Sequence, residues 1–180
     1  MMKSAMLFDD ANIPLSVVIR GRSEELVICD ELELIADQLA GKVDGKLCSS
    51  ALRRLSVDFL LHQKDEEVLY EILRERDIND HFLAQCIKQA LMEHHQFEDY
   101  VPELVEPLGE IGSGKPLANP EASGYAFRCL FDGVRRHIAW EDITLLGHSM
   151  PPLTDQETAR LQVGIASNRR LFSRHLRITN

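Results

Sequence analysis

The sequence has no long uninterrupted apolar run, so it predicts no membrane-spanning helix. Asp9 and Asp10 interrupt the start of the chain before the apolar core of a signal peptide can form. The four cysteines lie far apart and form no CxxC pair, which argues against a zinc knuckle or a disulfide framework. We therefore expect a cytoplasmic protein with reduced cysteines and no membrane partner.

Basic residues are also scarce relative to acidic ones. The chain has 20 Lys and Arg against 29 Asp and Glu, a formal net charge of −9. Phosphate binding needs a basic surface, so we expect no nucleic-acid partner. The 180 residues, of which 44% are hydrophobic, are enough for one compact domain with a substantial core.

No segment has the alternating or β-branched character of a strand. Apolar residues instead recur at steps of three and four, which predicts helices. The predicted helices cover residues 22–40, 48–76, 80–108 and 122–148, and a last, shorter helix begins after Thr154. Four long helices with mostly short connections predict an all-α fold, an up-down antiparallel four-helix bundle.

The same pattern suggests where the parts of the chain begin and end. Pro14 and Gly21 indicate an irregular N-terminal arm. The predicted parts are an arm (1–21), the bundle (22–150), and a C-terminal helix and tail (151–180). Pro102 is expected to kink or split the third helix, because proline removes a backbone donor and crowds the preceding turn.

Polar residues interrupt the apolar stripe of three of these helices. Each interruption has a histidine and, four residues later, a glutamate: His62 and Glu66, His94 and Glu98, His137 and Glu141. Residues four apart lie on the same face of a helix, one turn from each other. Surface His–Glu pairs are the alternative interpretation, but all three pairs share their face with Leu, Ile, Val or Phe.

This spacing has a chemical meaning. Imidazole nitrogens and carboxylate oxygens from successive turns can reach one metal ion, or two ions bridged by the carboxylates. Such ligands suit iron, manganese or zinc rather than copper(I) or a cluster. Burying several carboxylates without compensation would be costly, and bound cations remove that cost. The sequence therefore predicts a metal site between the helices.

The motifs that carry these pairs resemble a known family. The segments CDELELIADQL, HQKDEEVLYEIL, ALMEHHQFED and RRHIAWED are similar to those of the hemerythrin-like (HHE cation-binding) domains. The resemblance covers about residues 22–166 and implies a bundle that holds a non-haem di-iron centre. By resemblance the metal ligands are His62, Glu66, His94, His137 and Glu141, with Glu98 at the place where hemerythrins proper have a further histidine.

The sequence departs from this family on its first helix. The family has a histidine ligand there, but no histidine precedes His62. Alignment places Arg22 near the missing ligand, and Glu25, one turn further along, is an alternative ligand. The outcomes left open are two irons with one under-coordinated, a single-metal site, or a metal-free relic in which Arg22 pairs with a carboxylate.

The second departure is the larger share of carboxylate. A centre with three histidines and three glutamates would favour the ferric state of iron. It would resemble an oxygen-activating site more than the site of an oxygen carrier. We expect a protein without enzymatic activity that binds or senses O2, NO, peroxide or iron. The alternatives are a regulatory or interaction module with a degenerate site, and a di-iron oxidase or peroxidase. Two irons are expected, with zinc or manganese as alternatives, and a protein partner or homodimer is left open.

Some neighbouring residues are expected to play lesser parts. His95 follows His94 but points about 100° around the helix, so we expect it to face outward. Glu67, beside Glu66, is a secondary ligand candidate. Tyr70 and Trp140 are expected to pack around the site.

Overall fold

The computed structural model describes residues 13–146 and 152–178, and its regular structure is helical throughout that part of the chain. The helices are α1 (Ile13–Gln38), α2 (Gly45–Arg53), α3 (Leu60–Arg76), α4 (His81–Gly112), α5 (Pro120–Glu141) and α6 (Asp155–Ile178). A π-helical segment, π1 (Arg54–Phe59), joins α2 to α3, and a second, π2 (Asp142–Leu146), continues α5. The expected all-α helical bundle is confirmed.

The helices pack in the order expected of such a bundle. Helices α2, π1 and α3 form one continuous rod, the second of the four. Helix α1 packs against α5, α5 against α4, and α4 against α2, while α6 lies outside against α3. The short connections after α1, α3 and α4 make successive helices antiparallel. None of the described helices combines the length and apolar character needed to cross a bilayer.

The start of α1 differs from the predicted arm. The helix begins at Ile13, so residues 13–21 are helical and the arm predicted over 1–21 is wrong for them. Pro14 is compatible because it lies in the first turn, where a missing backbone N–H leaves no bond unmade. Gly21 is compatible because it lies directly against the ring of His62, where a side chain would not fit.

Two other predicted boundaries also differ. Helix α4 runs through Pro102 and Pro107, so the predicted split does not occur. Buried neighbours such as Val101 and Leu104 pack this part of α4 and offset the lost backbone hydrogen bond. Helix α5 begins at Pro120, capped by the side chain of Asn119, which shortens the predicted loop. Residues 147–151, where the predicted fourth helix ends, lie outside the described residues.

Helix α6 is longer than predicted, with 24 residues. Its start has the predicted capping box: the Glu157 backbone N–H donates to Thr154 Oγ1 at 3.3 Å, and the Thr154 N–H donates to the Glu157 carboxylate at 2.7 Å. Leu161 and Ile165 are buried against the bundle. The C-terminal helix is therefore part of the packed domain.

The core consists of two apolar clusters. One contains Leu55, Phe59, Phe97, Val134 and Ile138 among others. The other includes Leu69, Tyr70, Ile87, Ala90 and Leu145. On α3, α4 and α5, the polar residues of the predicted site fall in sequence between members of these two clusters. The site is thus enclosed by apolar side chains above and below.

Candidate metal centre

Four buried side chains meet between α3, α4 and α5. Glu66, His94, His137 and Glu141 each offer a ligand atom, and these atoms all lie within 4.8 Å of one another. All four residues are at most 2% exposed. They meet because each occupies an inward position of its helix, which the three- and four-residue spacing of the apolar stripe predicts.

The separations within this cluster suit coordination to a single ion. His94 Nε2 lies 3.2 Å from His137 Nε2. Glu66 Oε2 is 3.5 Å from His94 Nε2, and Glu141 Oε2 is 3.5 Å from His137 Nε2. Ligand atoms bound to one ion lie roughly 3.0 to 3.4 Å apart when each bond is about 2.1 Å long. Small movements would bring all four atoms onto a common ion.

The cluster also contains polar atoms that lack a partner within the protein. Glu66 Oε2 and Glu141 Oε1 are fully buried and accept no hydrogen bond. Leaving such carboxylate oxygens unpaired away from water costs free energy, which a bound cation would offset. The donor set and its unpaired oxygens therefore fit a metal ion.

Arg22 of α1 lies at the edge of this cluster, where sequence alignment places it. Its Nε donates to Glu66 Oε1 at 3.0 Å, and its Nη2 donates to Glu141 Oε2 at 3.0 Å. A third bond joins Nη1 to Asp142 Oδ1 at 2.9 Å. Burial opposes the charge of the guanidinium, but Glu141 and Glu66 outweigh it and raise the pKa of Arg22. The guanidinium links the two carboxylates.

Comparison with known families agrees with this geometry. The profile of the hemerythrin HHE cation-binding domain matches residues 26–148. The chain belongs to this family. No significant match was found among curated proteins or among solved structures. Arg22 and Glu25 precede the matched segment of the HHE domain.

The histidines of the HHE domain are oriented by carboxylates outside the four-residue cluster. Glu93 Oε2 lies 2.6 Å from His137 Nδ1. When His137 donates its Nδ1–H to Glu93, its Nε2 lone pair faces the cluster and is free to bind a metal. His94 Nδ1 lies 3.7 Å from Glu67 Oε1, a longer ionic contact. Glu67, the predicted secondary ligand, thus faces the far side of His94.

Sequence reasoning missed the role of Glu93. The residue precedes His94 on α4, yet it contacts His137 on α5, forty-four positions later. No spacing within one helix predicts a contact between two helices. The available signal was only the presence of an acid next to a predicted ligand.

The buried carboxyl groups of the HHE domain differ in the direction of their pKa shifts. Burial raises the pKa of Glu66, but His62, His94 and Arg22 outweigh it and hold that pKa well below its usual range. Burial and the charge of Glu66 raise the pKa of Glu141 to about 9. The same two causes raise the pKa of Glu25 well above its usual range. Without a metal, Glu66 is ionised at neutral pH while Glu141 holds a proton, and Glu25 holds its proton more tightly than an exposed glutamate does.

The pKa values of the two histidines in the cluster shift in opposite directions. Burial lowers the pKa of His94, but the adjacent Glu66 and Glu67 outweigh burial and raise it. Burial and then the charge of His94 lower the pKa of His137. His137 is therefore the imidazole more readily available as a neutral ligand.

His62 and Glu25 lie beside the cluster but outside the group of four. His62 Nε2 is 3.2 Å from Glu66 Oε1, yet it makes no hydrogen bond. Glu25 is 2% exposed, and its Oε2 has no hydrogen-bond partner. Both residues line a cavity of about 610 Å³ that the exposed residues Arg20 and Arg53 also line, so this cavity connects them with the surface.

The side chain of Glu98 does not reach the site, so the prediction that Glu98 is a ligand is wrong. Its carboxylate lies 2.6 Å from Lys64 Nζ and 3.5 Å from His95 Nδ1. The inward position is taken by Phe97, whose ring packs edge-on against that of His137 at 5.6 Å. His95 faces outward, as predicted. Tyr70 packs against His94, with ring centroids 5.7 Å apart.

Proposed function

We propose that this HHE domain binds iron through Glu66, His94, His137 and Glu141, and that the bound iron binds or senses a small ligand. The ligand would be dioxygen, nitric oxide or peroxide, or iron itself would be the signal. The convergence of the four ligand atoms within 4.8 Å carries the proposal. Two imidazoles and two carboxylates suit iron, with manganese and zinc as competitors.

The surroundings of the site support a role with a small ligand. The cavity of about 610 Å³ reaches His62 and Glu25, which lie next to the cluster. The four ligand residues are at most 2% exposed, so bulk water has little access to the ligand atoms. A diatomic molecule or peroxide would fit such an approach, whereas a large substrate would not reach the buried cluster.

The residues of the chain have separable tasks in this function. Glu93 fixes the ring of His137, and the apolar clusters hold the helices at the spacing that the site needs. Glu141 gives up its proton when a cation binds, so metal uptake releases a proton at neutral pH. Bound iron would supply the change of oxidation state and an open coordination position.

A second candidate function is a regulatory or interaction module with a degenerate site. The contacts of Arg22 favour it, because the guanidinium already compensates Glu66 and Glu141. A carboxylate-rich oxidase or peroxidase is the enzyme alternative.

We also propose the cytoplasm as the location, since none of the four cysteines is in a disulfide.

Metal content tests these functions directly. Protein purified without oxygen, with and without added Fe(II), should retain stoichiometric iron after desalting. Nitric oxide and then air should each change its absorption spectrum. His94→Ala should lose the iron, and His95→Ala, altered at the adjacent exposed position, should keep it. Protein that refuses Fe(II), Mn(II) and Zn(II) would contradict the proposal and favour the metal-free module. Catalytic consumption of peroxide or oxygen would identify an enzyme.

A further inference from the structure

We propose that the guanidinium of Arg22 takes the place of a second metal ion, so that the HHE domain holds one ion per chain. That ion would lie on the side of the cluster where His94 and His137 face each other. This inference rests on the proposed function, because it concerns how many ions the same site holds. In this arrangement α1 supplies a permanent cation, the guanidinium of Arg22, in place of a metal ligand.

The two oxygens of Glu66 face different partners. Oε1 accepts from Arg22 Nε at 3.0 Å and lies 3.2 Å from His62 Nε2. Oε2 lies 3.5 Å from His94 Nε2 and has no hydrogen-bond partner. The carboxylate therefore spans two sides of the centre, one facing the guanidinium and one facing the imidazoles. The permanently charged guanidinium lies on the first side.

Glu141 lies between the guanidinium and the imidazoles. Its Oε2 accepts from Arg22 Nη2 at 3.0 Å and also lies 3.5 Å from His137 Nε2, while its Oε1 is buried without a partner. His137 Nε2 is in turn 3.2 Å from His94 Nε2. Glu66 Oε2, a carboxylate oxygen of Glu141 and the two facing nitrogens thus provide ligands for one ion.

On the guanidinium side, His62 Nε2 and Glu25 Oε2 also lack a hydrogen-bond partner, but among the described residues only the four-residue cluster brings three or more ligand groups together. An arginine stays protonated and has no lone pair for a metal. A second ion there would have to displace a guanidinium that is 5% exposed and held by Glu66, Glu141 and Asp142. His62 is the one histidine on this side among the described residues, and its ring lies against the backbone of α1 at Gly21.

The count of buried charges agrees with one divalent ion. Three carboxylates are almost fully buried here, those of Glu25, Glu66 and Glu141, and one guanidinium lies among them. Once a bound cation has displaced the protons of these carboxyl groups, three negative charges less one positive charge leave two, which a single divalent cation neutralises. Two divalent ions would leave an excess of two positive charges in a site shielded from water, which is unfavourable.

The test is a metal titration of the full chain. Fe(II) and Mn(II) should each saturate at one ion per chain, measured by elemental analysis after desalting. Bound Mn(II) should give the six-line spectrum of an isolated ion in electron paramagnetic resonance. Two ions per chain, or the broadened spectrum of a coupled pair, would overturn the inference and leave the proposed function intact. Binding of no ion would overturn the proposed function itself.

Substitutions separate the two sides of the centre. His94→Ala should lower the stoichiometry from one to near zero, whereas His62→Ala should keep it at one. Loss of metal in both variants would contradict the one-ion arrangement. Arg22→His should raise the stoichiometry to two, because it removes the guanidinium and adds a ligand on α1. An Arg22→His protein that folds, shown by its circular dichroism, and still binds one ion would show that Arg22 does not exclude the second.

Discussion

The Nε of Arg22 on α1 donates a hydrogen bond of 3.0 Å to the fully buried carboxylate of Glu66 on α3. The same guanidinium bonds Glu141, so three helices of the bundle meet at one arginine. A family member that lacks the helix-1 histidine would otherwise leave these acids without a cation whenever no metal is bound. We therefore expect the bundle to fold before it acquires metal.

Loss of Arg22 should therefore destabilise the metal-free protein. We expect Arg22→Met to lower the free energy of unfolding by about 3–5 kcal/mol, because it leaves buried carboxylates without their partner. Urea denaturation at neutral pH with a chelator present would measure this loss.

Arg128→Met provides a matched control. Arg128 pairs with Asp37 at 2.7 Å on the surface, and its side chain is 46% exposed. Exposed ion pairs contribute about 0–1 kcal/mol, so this variant should stay close to the parent protein. Equal losses in the two variants would show that the buried contacts of Arg22 carry no special weight.

A second prediction concerns the contact between Glu93 and His137. Glu93→Gln should weaken metal binding by about 10- to 100-fold, because it removes the carboxylate that orients the ring of His137. Competition with a chelator of known affinity would measure the change. Glu98→Gln is the control on the same helix, since Glu98 pairs with Lys64 outside the cluster. If Glu98→Gln has the larger effect, the assignment of the two glutamates is reversed.

The sequence predicted the parts of the site that depend on one helix at a time. Glu66, His137 and Glu141 were predicted as ligands because the spacing of an amphipathic helix places them on the buried stripe, and the structure brings them together. On α4 the same rule was ambiguous. Phe97 and Glu98 lie three and four residues after His94, and both positions fit the stripe. Packing against α5 placed Phe97 inside and left Glu98 beside Lys64 at the surface.

Features that depend on two helices could not be predicted in this way. The bonds from Arg22 to Glu66 and from Glu93 to His137 each join residues forty-four positions apart. Resemblance to the HHE family placed Arg22 near the centre, but its three hydrogen bonds follow from the tertiary packing. Helix ends were also uncertain, because Pro14 is compatible with both a loop and a first helical turn.

The raised pKa of Glu141 predicts a pH dependence of stability without metal. A carboxyl whose pKa rises from 4.5 in the unfolded chain to about 9 in the fold binds its proton more tightly when folded. Its contribution is fully present below the unfolded pKa and is lost as pH rises through the folded pKa. The free energy of unfolding of the parent should therefore fall, relative to Glu141→Gln, between about pH 5 and 9.

The experiment is a series of urea denaturations with chelator across this range. The difference between the two proteins should change by at most about 1.4 kcal/mol per pH unit, the limit for one proton. Glu157→Gln is the control, because the hydrogen bonds from Arg76 lower the pKa of Glu157 to about 2. That carboxylate is ionised in both states above pH 5, so its difference curve should be flat. A flat curve for Glu141→Gln would contradict the raised pKa.

The contact between Gly21 and His62 predicts opposite effects for two glycine substitutions. A Cβ at Gly21 would overlap the ring of His62, whereas a Cβ at Gly109 of α4 would meet no atom within 4 Å. Alanine favours a helix over glycine by about 1 kcal/mol, so Gly109→Ala should stabilise the protein by up to that amount. Gly21→Ala should destabilise it by about 1–3 kcal/mol, because the overlap forces α1 or the ring to move.

Thermal denaturation of the metal-free proteins would give the sign of each change. Metal titration would then show what the displaced ring does. His62 lies on the guanidinium side of the centre, so Gly21→Ala should still bind one ion through His94 and His137. A Gly21→Ala protein as stable as Gly109→Ala would show that α1 does not pack closely on His62. A folded Gly21→Ala protein without metal would show that the position of His62 governs metal binding.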